Sequence, residues 1–463
     1  MIPFLHTIED WAGTLRGNFG VRLHSWVLFI LGLVLLFMSF VFMPSVVSLA
    51  LSMALFIAPV WLPLLLIGGA LKIRLILKQS EFIASQKYIL LEIKPPRNLV
   101  KTPLAMEVFL SAMHFSPGES NWYVRWLGRM RPWWSLEMAS IEGQIHFFIW
   151  TRANYRRIIE SQMYAQYPGV QIIEAPDYTR LISAKPEEWG IWGCDFKQSK
   201  PDPLPIKTYV EYGLDKVQKE PEQIDPLANL IEFLASAGKG ENIWLQFVIR
   251  VHKGEKYHKG VHVIDPATKK EVLKFPKDWK EHAAILVAEI RQKTRDPYVD
   301  PTSGKEVPGF PNPTKGQMEK IAAIERNVSK LAFDVGMRCV YIARPEKFNP
   351  IMITHMISLF KPFNTEGWND INSAAWLKNF DDYPWEFRAE KLKDRYRREL
   401  VQAFRRRQFF FDPFSYGISP EDIAVMSTEE LATVYHIPSL AVETPSLGRV
   451  NSATGEAPAN LPV

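Results

Sequence analysis

Side chains that could do chemistry are densest in this 463-residue chain between Glu386 and Arg407, EFRAEKLKDRYRRELVQAFRRR. Nine residues there are basic (Arg388, Lys391, Lys393, Arg395, Arg397, Arg398, Arg405, Arg406 and Arg407) against the four acids Glu386, Glu390, Asp394 and Glu399, a surplus of five positive charges. Leu392, Tyr396, Leu400 and Phe404 recur at every fourth position, so a helix here docks one apolar stripe and turns its basic faces outward. Such a face is a solvated surface, a contact for anionic lipid head groups, or a contact for nucleic-acid phosphates. The residues to touch phosphate or lipid would be Arg395, Arg398, Arg405, Arg406 and Arg407.

Other constellations are weaker. HKGEKYHKGVH places His252, His258 and His262 close together, but Gly254 and Gly260 break the helix that would aim them at one metal, and the segment reads as a solvated basic loop. Cys194 with His146 or His114 has the composition of a nucleophile and its base, as almost any chain with ten histidines does. A phosphate cradle needs GxxxxGK[ST]. Gly238-Lys239 and Gly304-Lys305 have Phe233 and Val299 where the first glycine belongs, and Gly240 and Glu306 in place of Ser or Thr. HExxH, GxSxG and paired zinc cysteines are missing too. The expectation is a chain that is not an enzyme and takes no cofactor and no metal.

Composition sets the frame. An apolar content of 47% demands a folded core, and 55 basic against 50 acidic residues leave a net charge of +5 that favours no partner by itself. Cys194 and Cys339 are too few for a disulfide framework; one bridge stays open, but two buried free thiols in a reducing compartment suit the count better.

Two runs carry no charge, Trp26–Phe42 and Val46–Leu71, each able to cross the ~20 residues of a bilayer core. Met43, Pro44 and Ser45 separate them, which predicts a helical hairpin over residues 26–77 with its turn at the far face. Arg16 and Arg22 precede the first run, Lys72, Arg74 and Lys78 follow the second, and the turn has no basic residue, so both termini are expected in the cytoplasm. Before the hairpin, Phe4, Ile8, Trp11 and Leu15 recur at helical spacing. Residues 1–25 thus form an amphipathic cytoplasmic helix, lying on the membrane or packed on the soluble part.

From Tyr88 the pattern turns to short alternating segments. Strand Tyr88–Ile93, helix Pro103–His114, strands Trp134–Ala139 and Gln144–Trp150, helix Asn154–Tyr167 and strand Val170–Glu174 give β-α-β-β-α-β, the ferredoxin-like split βαβ order, over residues 85–180. A second pass follows over 200–375: strand Ile206–Tyr212, helix Pro226–Ala237, strand Ile243–Val251, helix Gln317–Asp334, strand Arg338–Ala343 and helix Ile351–Phe360. PLAMEVFLSAM and PLANLIEFLASA echo each other. Residues 253–315, rich in proline, glycine and charge with one helix at Trp279–Thr294, read as a polar, partly mobile insertion. The fold class is therefore α+β with an N-terminal transmembrane α-hairpin and two tandem ferredoxin-like (split βαβ) sandwiches, followed by a helical segment. That last segment, 385–436, holds the basic helix and a closing helix at Thr428–Tyr435 that Ser427 or Thr428 caps. An extended arm, 437–463, should be removable at Ile437 with the fold intact.

The strings LLEIKPPRNLVKTPLAMEVFLSAMH, ESQMYAQYPGVQIIEAPDY, AAIERNVSKLAFDVGMRCVYIA and STEELATVYHIPS resemble the membrane-anchored N-terminal region, a domain of unknown function, of bacterial conjugative-transfer and type IV secretion-like motor ATPases. The likeness runs from about residue 20 to 462, but the P-loop motor is lacking. It implies a two-span protein of the bacterial inner membrane that serves as a non-catalytic anchor and assembly platform and partners a P-loop motor ATPase or other translocation subunits on separate chains. A homo-oligomer fits this role as well. Two alternatives stay open: a membrane-tethered nucleic-acid-binding protein using residues 386–407, and a membrane enzyme with an unrecognised site.

Overall fold

The computed structural model describes residues 25–96, 99–117, 121–183, 185, 187–216, 225–254, 260–264, 271–299, 306–374, 389–411 and 423–439. The expected N-terminal amphipathic helix, His258 and the arm beyond residue 439 lie outside the described residues. The chain divides into two compact units, Met1–Leu75 and Ile76–Val463.

In the first unit the uncharged runs fold as helix α1 (Ser25–Phe42) and the start of helix α2 (Pro44–Ser85), with Met43 alone between them. Pro44 and Ser45, expected in a turn, instead open α2, where the missing proline N–H costs nothing. The described apolar side chains point outward, Phe56 at 87% exposure and Phe42 at 73%. Of the two helices, α2 is long and apolar enough to cross a membrane.

The second unit is built on one antiparallel nine-stranded sheet. Its strands are β1 (Tyr88–Lys94), β2 (Trp133–Ile141), β3 (Gln144–Arg152), β4 (Gln171–Ala175), β5 (Gly190–Gln198), β6 (Glu241–Val251), β11 (Ala332–Ala343), β12 (Ile371–Ala374) and β13 (Ala424–Ser427). The order is β12-β5-β11-β6-β2-β3-β1-β4, with β13 added to β11. The two α/β passes therefore do not fold as separate sandwiches. They share one sheet, joined where β2 pairs with β6 from Trp133↔Arg250 to Ile141↔Asn242.

Helices α3 (Leu104–Ala112), α5 (Arg156–Gln166), α6 (Pro226–Ala235), α9 (Pro350–Ile357) and α11 (Thr428–Val434) form a layer with the apolar face of this sheet, and the short α4 (Trp122–Trp126) lies between α3 and β2 in sequence. Phe147, Phe247 and Tyr435 meet there at ring-centroid distances near 6 Å, at 6.1 Å for Phe147–Tyr435 and 6.0 Å for Phe247–Tyr435. The insertion contains helix α7 (Trp279–Lys293) and two hairpins, β7–β8 (Val261–Ile264, Glu271–Lys274) and β9–β10 (Arg295–Val299, Glu306–Pro311). Helix α7 packs on α8 (Lys315–Ser329) through Ala283, Val287, Ile321 and Ile324, so the described part of this stretch has a small core of its own.

Three expected elements differ. Ile206–Tyr212 alternates like a strand but forms turns, because Ile206 N–H donates to Glu430 Oε1 at 3.1 Å and Tyr209 N–H to Thr433 Oγ1 at 3.0 Å, side chains standing in for a neighbouring strand. The first strand of the second half is β5, whose apolar run is broken by Gly193 and Asp195. The helix expected through Asp334 ends at Ser329, and Ala332–Asp334 begin β11.

The closing helix forms as α11 behind a capping box in which Ser427 Oγ accepts Glu430 N–H at 3.2 Å and Glu430 Oε2 accepts Ser427 N–H at 3.0 Å. Every residue of α11 is buried, and burial continues through Ile437, 1% exposed, and Pro438. The arm is thus not separable at Ile437, which is a core residue.

Candidate functional site

The arginine-rich segment forms helix α10 (Ala389–Arg405), which crosses the sheet on the side opposite α11. Side chains directly opposite in an antiparallel ladder share a face. Glu137 on β2 faces Gln246 on β6, Gln246 faces Arg338 on β11, and Arg338 faces Asp195 on β5. These four polar residues form a row across the middle of the sheet, each with 0% exposure.

A buried charge survives only with partners, and each one here has them. Arg338 donates from Nε and Nη2 to the two Asp195 oxygens, at 2.6 and 3.1 Å, and lies under the Phe409 ring at 4.3 Å. Glu137 accepts from Ser135 Oγ at 2.6 Å, Tyr178 OH at 2.8 Å, Gln246 Nε2 at 3.0 Å and Arg407 Nε at 2.9 Å. Gln246 Nε2 also donates to the Phe404 carbonyl at 3.1 Å, so the end of α10 is tied to the row by its backbone as well.

Arg407 is the clasp. Its Nη1 reaches Asp177 Oδ2 at 2.8 Å while Nε and Nη2 engage Glu137, and its side chain is 1% exposed. Burial alone would favour its neutral form, but the two carboxylates overcome that and raise its pKa; burial likewise opposes Asp177, whose carboxyl Arg407 holds below the usual range. Arg407 has φ +49, the left-handed conformation. Its N–H donates to Phe404 O and the next N–H, of Gln408, to Ala403 O, the Schellman arrangement whose left-handed position ordinarily takes glycine. An arginine tolerates that strain, roughly 1 kcal/mol, because its guanidinium is fixed on both sides.

Downstream, Phe409 covers Arg338, Phe410 covers Arg250 at 4.3 Å, and Phe411 meets Trp133 at 5.2 Å. A Cβ at Gly336 would stand 2.3 Å from the Phe409 ring, so only glycine leaves room for this lid. Arg250 in turn pairs with Asp334 at 2.7 Å, and His252 Nδ1 lies 2.6 Å from the same carboxylate. Burial would raise the Asp334 carboxyl, yet Arg250 and His252 hold it at about 2.

The five candidate arginines are therefore not one patch. Arg407 is core, and the phosphate or lipid contact expected of it is withdrawn because Glu137 and Asp177 occupy its donors. Arg405 donates to Thr179 O at 3.0 Å and to Ile182 O, so it is bound into the loop after β4. Arg395 is exposed and bonded to Glu399 at 2.8 Å, and Arg398 and Arg406 are exposed. Of the apolar stripe, Leu400 and Phe404 are fully buried and Tyr396 is half-buried. No local pattern signals the Glu137 row, since its residues come from four separate strands.

The second charge network locks α11. Glu429 pairs with Lys330 at 2.7 Å and Arg326 at 3.2 Å, and Thr208 Oγ1 donates to it at 2.5 Å. Lys330 also reaches Glu107 at 2.7 Å, which accepts from Tyr209 OH at 2.6 Å. Burial pushes the Glu430 carboxyl up to about 8, against the N–H donors of Ser427 and Ile206 that pull it down. His436 meets Asp225 at 2.9 Å.

The remaining candidates do not assemble. Cys194 and Cys339 are free, fully buried and opposite each other on β5 and β11, and burial pushes both thiols up, away from nucleophilic thiolate. His146 is bonded to Glu92 and His114 to the Ala332 carbonyl rather than to Cys194. His252 is a partner of Asp334 with its side chain 7% exposed, not part of a solvated loop. Among the described residues no group of three or more His, Cys, Asp or Glu is placed to hold a metal ion.

No curated protein and no solved structure matches the chain. One family model does, that of a domain of unknown function (DUF8128), over residues 72–449. That range holds the end of α2, the whole sheet, α10 with its polar row, and α11, and the chain belongs to the DUF8128 family.

Proposed function

We propose that the chain is a non-catalytic membrane anchor and assembly platform of a type IV secretion or conjugation-like translocation apparatus, working with a P-loop ATPase on another chain. The observation that carries this reading is helix α2, 42 residues long, apolar, outward-facing, and continued past Leu71 into the compact unit. In this reading α1 and α2 both span a bacterial inner membrane, and the basic flanks Arg16, Arg22, Lys72, Arg74 and Lys78 keep both ends of the pair in the cytoplasm. The platform role is supported by the fate of the unit's charged groups: the buried ones described above are engaged in pairing strands and in holding helices to the sheet.

Each half of the sheet supports the tandem split βαβ reading. The orders β4-β1-β3-β2 and β12-β5-β11-β6 both follow 4-1-3-2 in their own numbering, with the insertion standing where the second half would have its hairpin turn.

The test is to purify the full chain from its own membranes. It should resist carbonate extraction, hydrolyse no ATP, and bring down a P-loop ATPase. Release by carbonate would end the anchor reading, and ATP turnover by the purified chain would end the non-catalytic one. Binding of nucleic acid by α10 is favoured only by the exposure of Arg395, Arg398 and Arg406. Replacing all three by Ala should then weaken DNA binding and flatten its salt dependence by about one unit per lost phosphate contact; binding that is unchanged removes this alternative.

A further inference from the structure

The segment from Asn121 to Arg131, NWYVRWLGRMR, has an unusual surface. Trp122 is 77% exposed, Tyr123 56% and Leu127 42%, with Arg125 and Arg129 exposed among them, and the segment has no carboxylate. This surface is ordered. Asn121 Oδ1 accepts the Val124 N–H at 2.9 Å and starts α4, while Arg131 Nη1 donates to the Val251 carbonyl at 2.8 Å and ties the segment to the sheet.

Its position is as telling as its composition. Gly128, at φ +80, comes so close to α2 that a Cβ there would lie 2.5 Å from the Lys78 carbonyl carbon. Lys78 is seven residues beyond Leu71, the last residue of the uncharged run, or about 10 Å along the helix axis. A head-group layer is roughly 5–8 Å deep per leaflet, so this part of α2 would emerge at its outer boundary. Lys72, Arg74 and Lys78 on α2 carry the same sign of charge as Arg125 and Arg129.

Exposed Trp and Tyr beside basic residues is the composition of a membrane–water interface, where an amphipathic ring has one end apolar and the other wet. Arginines near an anionic leaflet add attraction that carboxylates would cancel. We propose that Asn121–Arg129 is a second membrane contact, lying in the head-group layer beside the end of α2 and taking anionic phospholipid head groups. A contact beside α2 would add a hold on the bilayer that depends on anionic lipid, as an apolar span does not. This rests on the reading of α2 as a membrane span.

The test exploits the burial of both native cysteines. Single variants Trp122→Cys, Tyr123→Cys and, within α2, Phe56→Cys are made in the full chain, labelled with a fluorophore, and reconstituted in vesicles of equal phosphatidylcholine and phosphatidylglycerol with brominated acyl chains. Probes at 122 and 123 should be quenched. That quenching should fall by roughly fivefold for each of Arg125→Ala and Arg129→Ala, and should fall in phosphatidylcholine alone. If the Phe56 probe is quenched but neither the 122 nor the 123 probe is, the second contact is overturned and the span stands. If the Phe56 probe is not quenched, the span fails and this contact fails with it.

Discussion

The two faces of the sheet are closed by helices of different make, α10 long and mostly basic, α11 short and acidic. Both α10 and α11 are rich in charge. Helix α11 lies on the apolar face, and its acids turn sideways into Lys330, Arg326, Ser427 and Ile206, leaving Leu431, Val434 and Tyr435 to the core. Helix α10 lies over the polar row and joins it end-on, through Arg407 and the Phe404 carbonyl. An apolar face accepts many close packings, whereas a row of charges accepts one. Moving the β2–β6 pairing by a single residue would send Glu137 and Gln246 to opposite faces, and the row would not exist. The polar row thus specifies how β2 and β6, and with them the two halves of the sheet, align.

The largest expected effect breaks the clasp. Arg407→Ala leaves Glu137 buried without its cation and should lower stability by about 3–5 kcal/mol, read from urea unfolding of the solubilised chain. Adding Glu137→Gln to Arg407→Met should recover part of that loss. A cost below about 1 kcal/mol for Arg407→Ala would mean that the polar face does not specify the fold.

A middle effect separates the faces by pH. In the fold the Glu430 carboxyl titrates at about 8, far above its ordinary 4.5, so the folded chain holds a proton that the unfolded chain releases. Its contribution is neutral below about pH 4.5, and stability falls as pH rises towards 8, by up to about 1.4 kcal/mol per pH unit. Asp334 on the other face, held at about 2, has the opposite sign: its stabilisation is present above about 3.8 and is lost as pH falls through 2. His436, raised by Asp225 despite burial, also favours the fold at low pH and ceases to do so as pH climbs past its folded value. The difference between the native chain and Glu430→Gln across pH 5 to 8 isolates the Glu430 contribution. Equal slopes would show that its carboxylate is accommodated.

The smallest effect is on the outer side of α10. Arg398→Ala and Arg406→Ala should leave the unfolding midpoint unchanged, since both side chains are exposed. A clear loss at either would extend the network of the polar face outward.

Periodicity and capping signals located α3, α5, α6, α7, α10 and α11 to within a few residues, because each is a local property of the chain. The same local reading missed β5, since a strand interrupted by a buried aspartate and a close-packed glycine makes sense only beside Arg338 and α10. It also read the five candidate arginines of residues 386–407 as one surface. Arg395, Arg398 and Arg406 fit that reading, but the partner that buries Arg407 is Glu137, 270 residues away in sequence. The Trp122–Trp126 helix escaped notice because five residues carry no measurable period.

The position of α11 has a consequence for the order of events during synthesis. The apolar helices leave the ribosome well before Thr428 to Ile437, and at roughly 5–20 residues per second the interval between them is long. Until then β11 lacks β13, the apolar face lacks Tyr435, and the polar residues around Glu107, Lys330 and Arg326 lack Glu429. If α2 crosses a membrane as proposed, insertion would precede folding, and the nascent sheet would wait, half-covered, for a closing piece made of STEELATVYHI. Released chains ended before Ser427 should be cut readily by protease, and chains that include residues 427–438 should resist.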